Sequence, residues 1–376
     1  MDVFYLFKDT QERREALLNL EIGKQIGFAE GQLFGFDKLK EKGAMVDCNL
    51  KLPRTHNYCE TVLGWIERAY VARTGIGLGD VCSILAHLRL MNRAQVVMAT
   101  SDNTGLPAAW IKERGLLKKP LVYVSIGLPE RIKAVEKIKP ARETRYRRRL
   151  KCVDRFVAYG WEEAEWLRQW IGEADKVHFI PFGVNTKIWR PMNHSFGSTD
   201  VLSIGADLMR DFNLLIEYAR LRPDVGVCLI TGKESAAGLG SLPPNLRIRI
   251  QIPFDELRMM IAGARVVVLP VKENTYSGAT TTLVQCMAMG KAVAVSRVGA
   301  IRGGYGFQDG INLCWMEPGS PESLARVVDS LMADETACRR IGETARRHVE
   351  ISLNWDRYVS DIEDCLVKWF ERAKQK

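Results

Sequence analysis

The stretch from Ala264 to Ser296 constrains the fold more than any other part of this chain. Ala264 to Val271 (ARVVVLPV) is a continuous apolar β run, the pattern of a central strand in a parallel sheet, where both faces are covered. From Ser277 to Val295 the chain then reads as a glycine turn opening onto a buried helix. Gly278 permits a tight turn, and Thr280, Thr281 and Thr282 can cap the helix after it. The helix from about Thr282 to Met289 ends at Gly290, a left-handed terminator, before the apolar strand Ala292 to Ser296. A helix N-terminus presents free N–H groups and partial positive charge, which suit a phosphate or diphosphate group without a metal. Open α/β sheets place ligands at the C-terminal ends of their strands, where this turn falls. The alternative is a plain strand-to-helix turn that binds nothing.

Strand and helix patterns alternate along the whole chain, which argues for parallel sheets covered by helices. The spacing predicts strands at Val3 to Phe7, Ala44 to Leu50, Val96 to Thr100, Leu121 to Ser125 and Arg155 to Tyr159. Helices are expected at Asp37 to Lys42, Val81 to Arg93 and Trp161 to Gly172, the last carrying Trp166, Leu167, Trp170 and Ile171 on a stripe that reads as core packing. Lys176 to Pro191 looks like a hinge, and after it a second α/β pattern begins at Val201 to Ile204. Its further elements are Phe212 to Arg220, Val225 to Thr231, Leu246 to Ile250, Asp255 to Ala262, Ser320 to Ala333 and Glu335 to Ile351. At 376 residues the chain is long enough for two such domains, each with its own core.

Nine scattered cysteines with no CxxC pair argue against a disulfide framework and a structural zinc site, and five dispersed histidines give no metal site. No signal peptide or membrane-spanning run is read, so a cytoplasmic protein is expected. Residues 1–185 hold 30 Lys and Arg against 23 Asp and Glu, so most of the net charge of +9 lies there. The excess is densest from Lys137 to Lys151 (KIKPARETRYRRRLK), where Arg145, Arg147, Arg148 and Arg149 are nearly contiguous. A solvated helix face is the usual reading of such a run, with an anionic membrane surface or a phosphorylated acceptor as the functional ones. Nucleic acid is the weakest candidate partner, since no RNA-binding signature with interleaved aromatics accompanies the run.

A second strand-to-helix turn comes after Val201 to Ile204: Gly205, then Arg210 at the start of the next helix. A guanidinium matches phosphate oxygens by paired hydrogen bonds, so Arg210 could neutralise a diphosphate opposite the threonine turn. It could equally pair with its neighbours Asp207 or Asp211. Lys233, just beyond the next strand, is a comparable candidate whose alternative is a surface lysine.

Taken in order, these features resemble the family 4 glycosyltransferases, which have the GT-B fold of two Rossmann-like domains facing a cleft. Val177 to Pro191 looks like that family's interdomain signature. Val201 to Leu215 (VLSIGADLMRDFNLL) is similar to its first C-terminal strand and phosphate-binding arginine, and Ser277 to Val295 occupies the place of its nucleotide-binding motif. Asp309 to Asn312 and Pro318 to Leu324 look like its next loop and helix. The resemblance covers nearly all of residues 150–376 and only thinly the first 150. It implies a metal-independent, retaining transfer of a sugar from a UDP- or GDP-sugar donor, held mostly by the C-terminal domain, to an acceptor on the N-terminal one. In the mechanism usual for such enzymes the departing diphosphate takes the acceptor's proton, so no protein nucleophile and no cofactor are expected. Catalysis is then positioning and charge stabilisation.

By this resemblance Arg210 and Lys233 neutralise diphosphate, Gly205 lies beside them, Gly278, Ala279, Thr280, Thr281 and Thr282 cradle it, and Gln285 holds the ribose. Two departures stand out: the family's paired glutamates are Ser277 and Gln285 here, and Gln285 can serve ribose hydroxyls only without charge. Where the family has a histidine after the fourth N-terminal strand, this chain reads Tyr123 to Ile132 (YVSIGLPERI), so Ser125 and the Ile126 to Gly127 backbone would fill that role. Gly27 or Gly31 would supply the glycine loop near the donor phosphates. The expected domains are 1–184, 185–354 and a final helix from Trp355 packing back on the N-terminal domain. Two rivals remain: a non-catalytic GT-B binding or scaffold protein, and a peripheral membrane-binding module built on Lys137 to Lys151.

Overall fold

The computed structural model describes residues 1–24, 31–51, 65, 79–138, 143–193, 199–276 and 278–374. They divide into two compact units, Met1–Ile180 with Val359–Lys376, and Pro181–Tyr358. The first holds β1 (Asp2–Leu6), α1 (Gln11–Glu21), α2 (Phe36–Glu41), β2 (Met45–Cys48), α3 (Val81–Met91), β3 (Val96–Ala99), α4 (Asp102–Glu113), β4 (Leu121–Ser125), α5 (Leu128–Ile138), α6 (Glu143–Lys151), β5 (Arg155–Ala158), α7 (Trp161–Ile171) and β6 (Val177–Phe179). Its sheet runs β2-β1-β3-β4-β5-β6, and every pairing is parallel.

The second unit carries β7 (Thr199–Ile204), α8 (Phe212–Leu221), β8 (Val227–Thr231), α9 (Lys233–Ala237), β9 (Leu246–Ile250), α10 (Phe254–Gly263), β10 (Ala264–Leu269), α11 (Thr280–Ala288), β11 (Val293–Ser296), α12 (Gly299–Arg302), β12 (Cys314–Met316), α13 (Pro321–Ala333) and α14 (Glu335–Ser352). Helix α15 (Trp355–Lys374) ends the described chain. The second sheet is again six parallel strands, in the order β12-β11-β10-β7-β8-β9. Each central strand is apolar because helices cover both faces: all four residues of β3 and the last four of β10 are buried. The two alternating α/β patterns read from the sequence thus become two sheets with separate cores.

Helix α4 shows how packing overrides local propensity, since it contains both Gly105 and Pro107. A Cβ at residue 105 would stand 2.4 Å from the Tyr123 ring, so glycine is what lets α4 lie directly on β4. Pro107 has no N–H for the carbonyl of Asn103, four residues back. That carbonyl is taken instead by the amide of Asp80, at 2.9 Å. In the second unit Gly290 ends α11 in the left-handed region (φ 74°), as its sequence position predicts. Gly342 of α14 rests on it so closely that a Cβ there would lie 2.1 Å from the Gly290 carbonyl oxygen. The tryptophan stripe of α7 is core, with Leu167, Trp170 and Ile171 buried and Trp166 packed against them.

Candidate functional site

Two strand-to-helix turns of the second unit meet at the C-terminal ends of β7 and β10. The turn after β7, residues 205–211, and the turn after β10 are joined by main-chain hydrogen bonds from the Asp211 amide to the Pro270 carbonyl (3.0 Å) and from the Lys272 amide to the Met209 carbonyl (2.8 Å). An antiparallel bridge between Arg210 and Val271 lies between them. Parallel neighbouring strands bring residues about 60 positions apart in sequence to one edge, which is the general reason α/β sheets bind ligands there.

Arg210 is the centre of this arrangement. Only 4% of the residue is exposed. Its Nε donates to Asp207 Oδ2 at 2.8 Å and its Nη2 to Thr282 Oγ1 at 3.1 Å. Its Nη1 is buried and has no hydrogen-bond partner among the described residues. Asp207 is itself oriented, since Oδ1 accepts from the Met209 amide at 3.0 Å and from the Tyr276 hydroxyl at 3.4 Å. Gly205 makes room for the guanidinium, because a Cβ there would stand 2.4 Å from Arg210 Nε. A buried guanidinium with an unused donor is costly unless an acceptor joins it. An anion is the natural one.

The other wall is the start of α11. Its first intrahelical bond runs from the Leu283 amide to the Ala279 carbonyl, so the amides of Thr280, Thr281 and Thr282 precede that ladder at the positive end of the dipole. The expected threonine cap is not formed: Ala279 is the capping residue, in helical conformation and with no side-chain bond, and α11 begins two residues earlier than the sequence suggests. Thr282 instead accepts from Arg210, while Thr280 Oγ1 is buried with no partner among the described residues. Burial raises the Cys286 thiol to about 12, so this neutral group near Arg210 is no nucleophile.

Residues 208–334, which contain Arg210 and the whole of the turn after β10, match the family model described as Glycosyl transferases group 1. They form a glycosyl transferases group 1 domain. The chain is 28% identical over 191 residues to the MMP alpha-(1->4)-mannosyltransferase of Mycolicibacterium hassiacum, covering 48% of this chain and 46% of that protein. It is 24% identical over 215 residues to the alpha-maltose-1-phosphate synthase of Mycolicibacterium smegmatis, covering 49% and 54%. The matched stretch thus spans about half the length of these curated relatives. Among solved structures, sucrose-phosphate synthase from Thermosynechococcus elongatus superposes with a TM-score of 0.70 at 16% identity, covering 99% of this chain and 100% of that one. The Anabaena protein HepE in complex with UDP-glucose gives 0.68 at 14%, covering 98% and 100%. These structural neighbours show that the fold is GT-B.

The second unit brings together Gly205, Arg210, Gly278 and Thr282, and adds Asp207, which the sequence offered only as a pairing partner of Arg210, and Tyr276, which the sequence reading did not select. A Cβ on Gly278 would stand 2.8 Å from the Tyr276 ring and 3.2 Å from Asp207 Oδ1, so this glycine is fixed by contact with the same pair. The D-x-x-R spacing was the available signal for Asp207. Ala279 and Thr280 are buried and Thr281 and Gln285 half-buried on α11. Lys233 is exposed at the first position of the five-residue α9, whose Ser235 Oγ donates to the Ala206 carbonyl at 3.1 Å and so ties that turn to the one bearing Arg210. Ser277 lies outside the described residues.

Outside the group 1 domain, one expectation is corrected, that for the turn after β4. Ser125 and the Ile126 and Gly127 amides turn inward: Ser125 Oγ donates to Glu163 Oε1 at 2.6 Å, the Gly127 amide to the same oxygen at 3.0 Å, and the Ile126 amide to Asp102 Oδ1 at 3.3 Å. All three donors are therefore occupied by buried carboxylates and are not offered to a ligand. Gly31 opens a short 3-10 turn, and the left-handed residue that starts α2 is Gly35 (φ 82°); Gly27 lies outside the described residues. The basic run is divided as well. Arg145, Arg147 and Arg148 are exposed, whereas Arg149 is buried with its Nε 3.4 Å from Glu113, and residues 139–142 lie outside the described ones. No helix among the described residues is long and apolar enough to cross a membrane.

Proposed function

We propose that this protein is a glycosyltransferase that moves a sugar from a nucleoside diphosphate donor, UDP- or GDP-linked, to a hydroxyl acceptor, with retention and without a metal. The observation that carries the reading is the buried Arg210 guanidinium, which has one unused N–H donor and stands against the first turn of α11. In this role Arg210 binds the diphosphate and stabilises the charge that grows on it as the sugar departs, while the α11 amides receive its other oxygens. Asp207 and Thr282 hold the guanidinium in place, Lys233 brings a second cation from the adjoining turn, and Gln285 serves the ribose. The group 1 domain, the transferase and synthase names of the curated relatives, and the UDP-glucose in the Anabaena neighbour support the same direction. Retention and metal independence rest on the family 4 resemblance.

The test is a thermal-shift panel of nucleoside diphosphates and their sugars on the wild type and on Arg210→Ala, since a ligand that binds only the folded state raises its melting temperature. One base should stabilise the wild type and leave the variant unmoved, and product analysis with that donor should then show anomeric retention. Equal shifts in both proteins would remove Arg210 from the site.

A further inference from the structure

The first unit contains a cluster that the donor site does not use. At the C-terminal end of β4, two carboxyl groups lie beneath the turn 125–127. Asp102, the first residue of α4, accepts at Oδ1 from the Tyr123 hydroxyl (2.8 Å) and the Ile126 amide. Glu163, in the first turn of α7, accepts at Oε1 from Ser125 Oγ and the Gly127 amide. Both are buried, and Glu163 is 0% exposed. Its other oxygen, Oε2, is buried with no partner among the described residues.

We infer that Asp102 and Glu163 are positioning residues that fold the turn after β4 inward through a proton held on Glu163. Leaving a buried hydroxyl unpartnered costs less than placing a second uncompensated buried charge beside Asp102. The dipoles of α4 and α7 favour the ionised forms too weakly to reverse this. Burial raises Glu163 to about 8, with Asp102 and Glu130 of α5 adding repulsion. Burial also raises Asp102, to about 6, although Arg131 of α5 opposes it, and the Tyr123 hydroxyl is pushed well above its ordinary range. Near neutral pH the pair therefore keeps one proton, on Glu163, and one charge, on Asp102. The turn it shapes presents the partly exposed Ile126 side chain at the sheet edge where ligands bind. The inference deepens the transferase reading, yet its first test needs no turnover.

That test is amide hydrogen exchange of the segment covering Ile126 and Gly127, as protection factors from pH 6 to 9. Opening frees Glu163 to ionise at its ordinary value, so wild-type protection should fall about tenfold per pH unit from 6 and level off near 8. Glu163→Gln keeps the acceptor and carries no titrating group, so its protection should stay flat. Asp102→Asn removes the repulsion and should bring the levelling point to lower pH. Flat wild-type protection, a fall in Glu163→Gln like that of the wild type, or an unmoved levelling point in Asp102→Asn would each overturn the inference. If the donor panel fails while these profiles hold, only the transferase reading is lost.

Discussion

The two units use one architecture for opposite electrostatic ends. In the second, the turns after β7 and β10 bury a guanidinium with a donor to spare beside a helix N-terminus. In the first, the turn after β4 buries two acids that consume the backbone donors around them. Both lie where parallel strands end, so the topology alone does not say which edge receives an anion. The sign of the buried charge decides it. An anionic ligand would be attracted beside Arg210 and repelled beside Asp102, and the comparison can be broken from either side.

The largest effect is expected from Arg210→Ala. Loss of a single preorganised donor to a developing anion lowers turnover roughly 10²–10³-fold, and steady-state kinetics with the stabilising donor should show it in kcat. Retained turnover would make the two edges equivalent. Gly205→Ala should approach that loss, because its Cβ would enter the space of Arg210 Nε, and lowered donor affinity in titration calorimetry with the fold intact by circular dichroism would confirm the cause.

On the acidic side, Glu163 keeps its proton more tightly folded than unfolded. Its contribution to stability is complete below the ordinary carboxyl range and is lost as pH rises to about 8. Glu163→Gln should therefore be more stable than the wild type at pH 8 by a few kcal/mol, with the difference shrinking at pH 5, as urea denaturation at the two pH values would measure. A difference that grows toward acid would mean the carboxylate is ionised in the fold.

Smaller effects sharpen the picture of the cationic edge. Thr282→Val removes the acceptor of Arg210 Nη2 without changing volume, and should raise the donor KM about tenfold, the worth of one charge-assisted hydrogen bond. Gln285→Ala should weaken donor binding several-fold without altering the melting temperature of the free protein. An unchanged affinity there would take the ribose away from α11.

Much of this was legible in the chain itself. The apolar run of β10, the glycine of the turn after it and Gly290 fixed a strand, a turn and a helix end by local chemistry, because strand periodicity and left-handed glycine act within a few residues. Leu121 to Ser125 and Leu246 to Ile250 were read with their observed boundaries for the same reason. Arg210 was visible as a candidate, and so was its local alternative. The structure realises the local alternative, and the pairing with Asp207 holds the guanidinium with a donor left over.

What the sequence could not decide was where side chains from distant segments point. Three threonines before a helix satisfy the cap pattern equally well, and only the approach of Arg210, 72 residues away, turns Thr282 toward the guanidinium. Asp102 and Glu163 stand far apart in the chain on separate helices, each an ordinary first-turn acid by local rules. They become a buried pair that reverses the role read for Ser125 only when α4 packs against β4 and α7 against the neighbouring β5. Local spacing thus determined the elements and their ends, whereas tertiary packing determined which charges lost their water, and burial is what gives those charges their chemistry.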